Sequence, residues 1–297
     1  MRGLANLADI YRSARALFYE TISQVPALYD KVAMVVPSTT SQNDYKWLGE
    51  VPMMSEWLGD RRIQDLKAYS YTLVNQEWAN GITLHKNEVA DDQLGMFTYL
   101  VKALAEQAAN HINQQVFGLL PQGFSTVCYD GQFFFDTDHP VGTGTQSNFG
   151  GGSGTAWYLF DTAKVIKPLI FQKRSEVEFT SLDRAEDREV FMSGRYLYGA
   201  NYRGSFGYGL WQLAYASKST LDATNYALGR AAMTAFTNDE GVPLGIMPNL
   251  LVVPPSLEAA AREILHADII LGDATSGGSK SNIWKASAEL LVVPWLT

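Results

Sequence analysis

The sequence is poor in the residues that metal centres and disulfide frameworks need. A single cysteine, Cys128, among 297 residues excludes an intramolecular disulfide and any multi-cysteine zinc site, and suits a reducing compartment. On its own it reads as a small buried hydrophobe. The histidines, His85, His111, His139 and His266, form no H-x-x-x-H pair, and there is no C-x-x-C. No G-x-S-x-G frames a nucleophilic serine. No window reaches the ~18 uncharged apolar residues of a membrane span. Asp9, Arg12 and Arg15 fall where a signal peptide would need an unbroken apolar stretch. The expectation is a protein made in the cytoplasm with no membrane partner. Positive charge is scarce too: 23 Lys and Arg against 31 Asp and Glu leave a net charge of −8. The basic side chains (Lys46, Arg61, Arg62, Lys102, Lys164, Lys167, Lys173, Arg174) are scattered, which argues against a reader of duplex DNA that works by neutralising phosphates.

What is present is globular. Hydrophobic residues make up 46%, aromatics 12% and charged residues 18%, so disorder is excluded and one large domain or two can form. Apolar groups at Leu4, Leu7, Ala8, Tyr11, Ala14, Leu17, Phe18 and Ile22 recur three and four apart and predict an amphipathic helix that stops before Pro26. VAMVV (32–36) predicts a strand. Residues 48–90 look like a long two-stranded arm that buries its surface on something else, with the ANG of NQEWANGITLHK as a turn between strands. The longest helix is predicted to start at Asp91 or Asp92 and to run along Leu94, Phe97, Val101, Leu104, Ala108, Ile112, Gln115 and Leu119 to Pro121. At ~1.5 Å per residue it would span roughly 40 Å.

GGGSGT (150–155) reads as a flexible junction, and RYLYGANYRGSFGYGLWQLAY (195–215) as long strands with close backbone contacts. Residues 221–236 read as helix. GIMPNLLVVPPSLEAAAREIL (245–265) reads as a strand, two prolines and a helix capped by Ser256, and AELLVVPWL as a last strand. Strands and helices alternate irregularly, so the fold class is α+β.

FFFDTDHPVGTGT (133–145) is the stretch where chemistry would be sought. Asp136, Asp138 and His139 crowd within four positions, as in a metal site or an acid/base pair, and the rival reading is a metal-dependent hydrolase centred on them. Supporting ligands at local spacing are missing, and Asp and His beside Pro and Thr also form structural turns, since Asx side chains bond the following backbone. An adventitious cation site is the third reading. GDATSGGSKS (272–281) lacks the glycine that should precede the lysine of a phosphate loop. The residues therefore supply no catalytic, cofactor-binding or metal assignment, and the expectation is a protein that is not an enzyme and uses no cofactor.

FDTDHPV, WYLFDTAKVIKPLIFQKR, YGANYRGSFGYGLWQLAYAS, GVPLGIMPNLLVVPPSLEAAAREIL and NIWKASAELLVVPWL closely resemble the major head subunit (protein T) of Mu-like phages and prophages. The resemblance covers most of the chain from about residue 90 onward. It implies the tailed-phage major capsid protein fold, called Hong Kong 97-like. In that fold 1–47 are the N-terminal arm and leading strand, 48–90 an extended E-loop, and 91–155 the spine helix and peripheral domain. Residues 156–220 are then a long-strand block shared by peripheral and axial domains, and 221–297 the axial domain. It further implies a major capsid protein that assembles with itself into the hexamers and pentamers of an icosahedral shell around double-stranded DNA, held without sequence-specific binding. The partners implied are a separate scaffolding protein, a portal and decoration proteins. With numbering from Met1, no removed propeptide is expected. Candidate assembly contacts are Met53, Met54, Trp57, Leu58 and Trp78 as apolar anchors, with Arg61 and Arg62 as bidentate partners for carboxylates across a seam. The WYLFDT…QLAY block stands ahead of the LDATNYALGRAAM helix, which reads as a permuted order and predicts that Thr297 lies near Trp157.

Overall fold

The computed structural model describes residues 5–45, 71–91, 95–271 and 279–296. Helix α1 (Ala5–Gln24) opens the chain and ends before Pro26, which has no N–H to continue it. Strand β1 (Ala33–Pro37) follows, then the pair β2 (Gln42–Asp44) and β3 (Thr72–Val74), then β4 (Gln76–His85). Short α2 (Lys86–Ala90) leads to α3 (Met96–Gln122). Beyond it lie β5 (His139–Val141), β6 (Gly144–Gln146), β7 (Phe149–Gly152), β8 (Trp157–Phe160), β9 (Leu169–Lys173) and β10 (Glu178–Leu182). After α4 (Arg188–Ser193) come β11 (Arg195–Tyr208), β12 (Ala214–Lys218) and α5 (Ala223–Thr234). The last part holds β13 (Leu250–Val253), α6 (Glu258–His266), β14 (Ile269–Leu271), β15 (Ser279–Ser281) and β16 (Glu289–Val292).

Two five-stranded sheets organise these elements. The first runs β1-β9-β11-β10, with β4 also on β11, and the second runs β16-β13-β8-β12-β7. WYLF of β8 and LLVV of β13 are buried at every position, as strands covered on both faces must be. β11 is the long Gly/Tyr strand expected from the sequence, and Tyr196, Tyr198, Tyr202 and Tyr208 all turn inward from it.

α3 joins two hydrophobic cores. Its first half puts Val101, Leu104, Ala105 and Ala108 against Ala14 and Phe18 of α1 and against Phe179, Tyr196, Tyr198 and Ala200 of the first sheet. Its second half puts Ile112, Val116, Phe117 and Leu120 into the larger core with Trp157, Phe160, Leu251 and Trp211. From Phe97 the expected stripe holds through Ile112 and then moves to Val116, Phe117 and Leu120, because a 3.6-residue helix drifts off a heptad and the packing partner changes; Leu94 lies outside the described residues. Asn113, buried on this helix, ties down the chain after α1 by donating to Pro26 O at 3.1 Å and accepting from Tyr29 N at 3.0 Å.

Several local expectations are overturned. α3 starts after Gly95 and not at Asp91, which instead closes α2; Asp92 lies outside the described residues. The stronger capping signal sits earlier, where Glu88 Oε2 accepts from His85 N at 2.9 Å and the His85 ring accepts from Asn87 N. The ANG segment is no turn: β4 passes through it, paired with β11 from His85↔Arg195 to Gln76↔Gly204. Gly81 sits opposite Gly199, and ten consecutive pairs on a long partner outweigh a two-residue turn preference. The GGGSGT segment is no flexible junction either, because Phe149–Gly152 adds β7 to the second sheet beside β12 and Gly154 N bonds Lys218 O at 2.8 Å. Ser256 does not cap α6. A 3-10 turn over Pro255–Leu257, closed by Leu257 N on Pro254 O at 3.0 Å, precedes it and leaves Leu257 at the cap position.

Candidate functional site

The chain leaves α3 at Gly123 and makes a turn closed by Cys128 N on Gln132 O at 2.8 Å and Phe134 N on Thr126 O at 3.1 Å. Asp130 sits at its apex, followed by Gly131 at φ 91°, a conformation that suits glycine. One carboxylate oxygen, Oδ1, accepts from Gln132 N at 3.0 Å and from the Cys128 thiol at 3.0 Å. The other, Oδ2, lies 2.7 Å from His139 Nδ1. Nε2 of the same ring lies 3.2 Å from Asn148 Oδ1, and the ring stacks on Trp211 with centroids 4.0 Å apart and planes 10° from parallel. Both side chains of the His139–Asp130 pair are essentially out of solvent, at 0% and 2% exposure.

The environment fixes the charge of each partner. Burial, reinforced by the Asp130 charge, pushes the Cys128 thiol up, so it remains a thiol and donates. Burial alone would raise Asp130, but hydrogen bonds from His139, Cys128 and Gln132 together with the attraction of His139 outweigh it and hold the carboxyl below the usual range.

Asp136 and Asp138 do not join His139. Asp136 turns its oxygens onto Thr137 N at 2.8 Å and Phe133 N at 3.3 Å, backbone groups of its own turn, and Asp138 is exposed. The trio that a hydrolase would need is therefore dispersed, and the structural-turn reading of FDTDHPV is the one the geometry supports. The actual partners of His139 are Asp130, nine residues before it, and Asn148, nine after. Sequence reading missed both. Spacing gives no hint of them, because the turn at 126–134 and the β5–β6 hairpin bring them in.

Among the described residues, Cys128, Asp130 and His139 are also the one group of metal-type donors, with ligand atoms within 4.8 Å of one another. Two of their separations, 2.7 and 3.0 Å, are hydrogen-bond distances. Neighbouring ligands on a tetrahedral zinc with bonds of ~2.0–2.3 Å would stand roughly 3.3 Å or more apart. The donors satisfy each other, and the cluster is a structural network.

Of the candidate assembly contacts, Met53, Met54, Trp57, Leu58, Arg61 and Arg62 lie outside the described residues. Trp78 is half-buried on β4, with Nε1 donating to Gly204 O at 3.3 Å and its ring 4.8 Å from that of His111. It lines a cleft of about 230 Å³ between β4 and α3, shared with His111, Gln107 and Tyr202. His111, held neutral by burial, bonds the Tyr202 hydroxyl at 2.8 Å. The surface carries large apolar side chains that the sequence reading did not select: Phe191 (81% exposed) and Met192 (72%) on α4, Val165 (99%) beside β8, and Ile283 (78%) after β15. Isolated exposed hydrophobes are ordinary, but several on a short helix and on connecting loops suit a protein that covers them with neighbours. None of the helices among the described residues is long and apolar enough to cross a membrane.

Known proteins match this architecture along its whole length. Residues 7–296 match the family described as the Mu-like prophage major head subunit gpT. The chain is 38% identical over 264 residues to the Mu-like prophage FluMu major head subunit of Haemophilus influenzae, covering 85% of this chain and 86% of that protein. It is 36% identical over 303 aligned positions to the major capsid protein of Escherichia phage Mu, covering 98% of both. In structure it is similar to the subunit of the bacteriophage JBD30 procapsid, with TM-score 0.84, 36% identity and coverage of 99% and 100%. It is also similar to that of the JBD30 capsid, with TM-score 0.79, 27% identity and coverage of 94% of both chains. An alignment running from end to end of both proteins leaves no room for a permuted order, so that expectation is withdrawn; Thr297 lies outside the described residues, while β16 stands two strands from β8 in one sheet. The fold is that of phage major capsid proteins, and the buried network has the character of a structural element of such a subunit. The chain belongs to the Mu-like major head subunit family and is a capsid protein of a phage virion, not an enzyme.

Proposed function

We propose that the subunits form hexamers and pentamers that close into an icosahedral shell around double-stranded DNA, assembled in the bacterial cytoplasm. Residues 1–47 act as the N-terminal arm and leading strand, and 48–90 as the E-loop that lies across a neighbour and returns along β4. Residues 91–155 supply the spine helix and peripheral domain, 156–220 the strands shared between domains, and 221–297 the axial domain. The observation that carries the reading is the end-to-end similarity to a phage Mu capsid protein and to a JBD30 procapsid subunit. Heterologous contacts that close into rings allow one chain to build such a shell. Large obligate interfaces of ~2,000 Å² or more would draw on Met53, Met54, Trp57, Leu58, Trp78, Arg61 and Arg62.

A separate scaffolding protein, a portal and decoration proteins complete the set of partners. The last is supported by the JBD30 capsid that carries minor capsid protein trimers. A net charge of −8 suits a wall that holds DNA without adhering to it. The test is particle mass by light scattering with negative-stain microscopy, on chain purified with and without a lysate of phage-producing cells. Shells, tubes or rings of hexamer or pentamer size are expected. Monomers in both preparations would overturn the reading.

A further inference from the structure

The amide of Asn148 has one possible orientation. Its Nδ2 donates to Phe134 O at 2.8 Å and lies 3.4 Å from Trp211 O, while Oδ1 accepts from Asp136 N at 2.9 Å. Turning the amide over would set its NH2 against an N–H and its oxygen against two carbonyls. The group facing His139 Nε2 at 3.2 Å is therefore an acceptor, and Nε2 carries a hydrogen.

The other side of the ring is equally constrained. Nδ1 faces Asp130 Oδ2 at 2.7 Å, and a bare nitrogen lone pair against a buried carboxylate would repel, so a hydrogen sits there as well. We propose that His139 is held as an imidazolium, a proton-operated clamp whose two N–H groups and one ring face tie three separate segments together. Those segments are the 126–134 turn through Asp130, the residue before β7 through Asn148, and the 211–213 turn through Trp211. A positive ring stacked on an indole face adds a cation–π attraction in a desolvated place.

The surroundings leave Asp130 as the counter-ion. On the ring's own segment, Asp136 is turned to backbone N–H groups and Asp138 is exposed. Across the hairpin, Asp239 Oδ1 accepts from Gly142 N at 2.8 Å. Behind Cys128, burial pushes Tyr71 up to about 12 and Tyr208 higher still, so both are neutral, and the 211–213 turn offers Gln212 without charge. Two other hydrogens already point at Asp130 Oδ1, from Gln132 N and the Cys128 thiol, as they would at a carboxylate, and this places the shared hydrogen on the ring.

The clamp's position gives it a consequence. The 211–213 turn connects β11 of the first sheet to β12 of the second, and β7 is the edge of the second sheet. The proton therefore ties the excursion after α3 to the turn that links the two sheets.

The test is nitrogen-15 NMR of the histidine rings in the full chain at neutral pH, in solution or as sedimented particles, with His139 assigned by elimination from Gln variants of the more exposed His85, His111 and His266. Two protonated-type ring nitrogens are expected for His139. A pyridine-type nitrogen would overturn the proposal. Asp130→Asn gives an independent reading: removing the counter-ion should return the ring to one pyridine-type nitrogen at the same pH, and a ring that stayed doubly protonated would overturn the pairing with Asp130. The wild-type measurement leaves the buried network itself unaltered.

Discussion

Gly150→Ala separates a packed strand from a flexible linker by the sign of its effect. Gly150 lies in β7, and a Cβ there would overlap the Tyr215 hydroxyl, come 2.9 Å from its Cζ and 3.1 Å from Ser217 Cβ. Tyr215 is only 6% exposed and pairs within β12, so the ring has little room to retreat. Forcing a methyl into such a place costs about 1–3 kcal/mol. For a chain of this size that corresponds to a drop in Tm of roughly 2–5 °C. A flexible linker predicts the opposite: replacing its glycine restricts the unfolded chain and stabilises by about 0.4–1 kcal/mol. The assay is urea and thermal unfolding of the unassembled chain followed by circular dichroism. Tyr215→Phe, which removes the atom that overlaps, should recover part of the loss, with a coupling of at least ~0.5 kcal/mol in the double-mutant cycle. A Gly150→Ala protein as stable as the parent, or more stable, would refute the close packing of β7 on β12.

Two further measurements probe the buried polar groups. Asp130 has its folded-state pKa lowered, chiefly through hydrogen bonds from His139 and Cys128 that overcome burial, so its ionised form stabilises the fold above the unfolded value of ~3.9 and that stability is lost as pH falls through the folded value. The difference in unfolding free energy between the parent and Asp130→Asn should therefore shrink as pH falls below ~4 in urea titrations, and a difference that grew would contradict the sign. Asn113→Ala removes the two hydrogen bonds that hold Pro26 and Tyr29 against α3; Pro26 O keeps its bond from Leu28 N, so the half-buried Tyr29 N–H is the group that loses its partner. A loss of about 1–3 kcal/mol is expected, with faster amide exchange around residues 25–31 as the local readout. An unchanged exchange pattern would show that this staple does not hold the segment.

The sequence by itself determined what depends on local pattern and composition. The α1 periodicity, the apolar runs of β8 and β13, the alternation of β11 and the helix within 221–236 that becomes α5 are readable because each residue's preference agrees with its neighbours'. The motifs that resemble head subunits were legible for the same reason, since they span whole elements. Tertiary structure alone decided the rest. Asn80–Gly81 runs straight because β11 offers a long partner, and Gly150 packs because Tyr215 lies beside it. His139 meets Asp130 and Asn148 and not the carboxylates beside it in sequence, because two turns bring distant side chains within hydrogen-bond reach and aim near ones away. Local propensities amount to about 1 kcal/mol or less per residue, and the pairing of a long strand or the burial of a charge outweighs them.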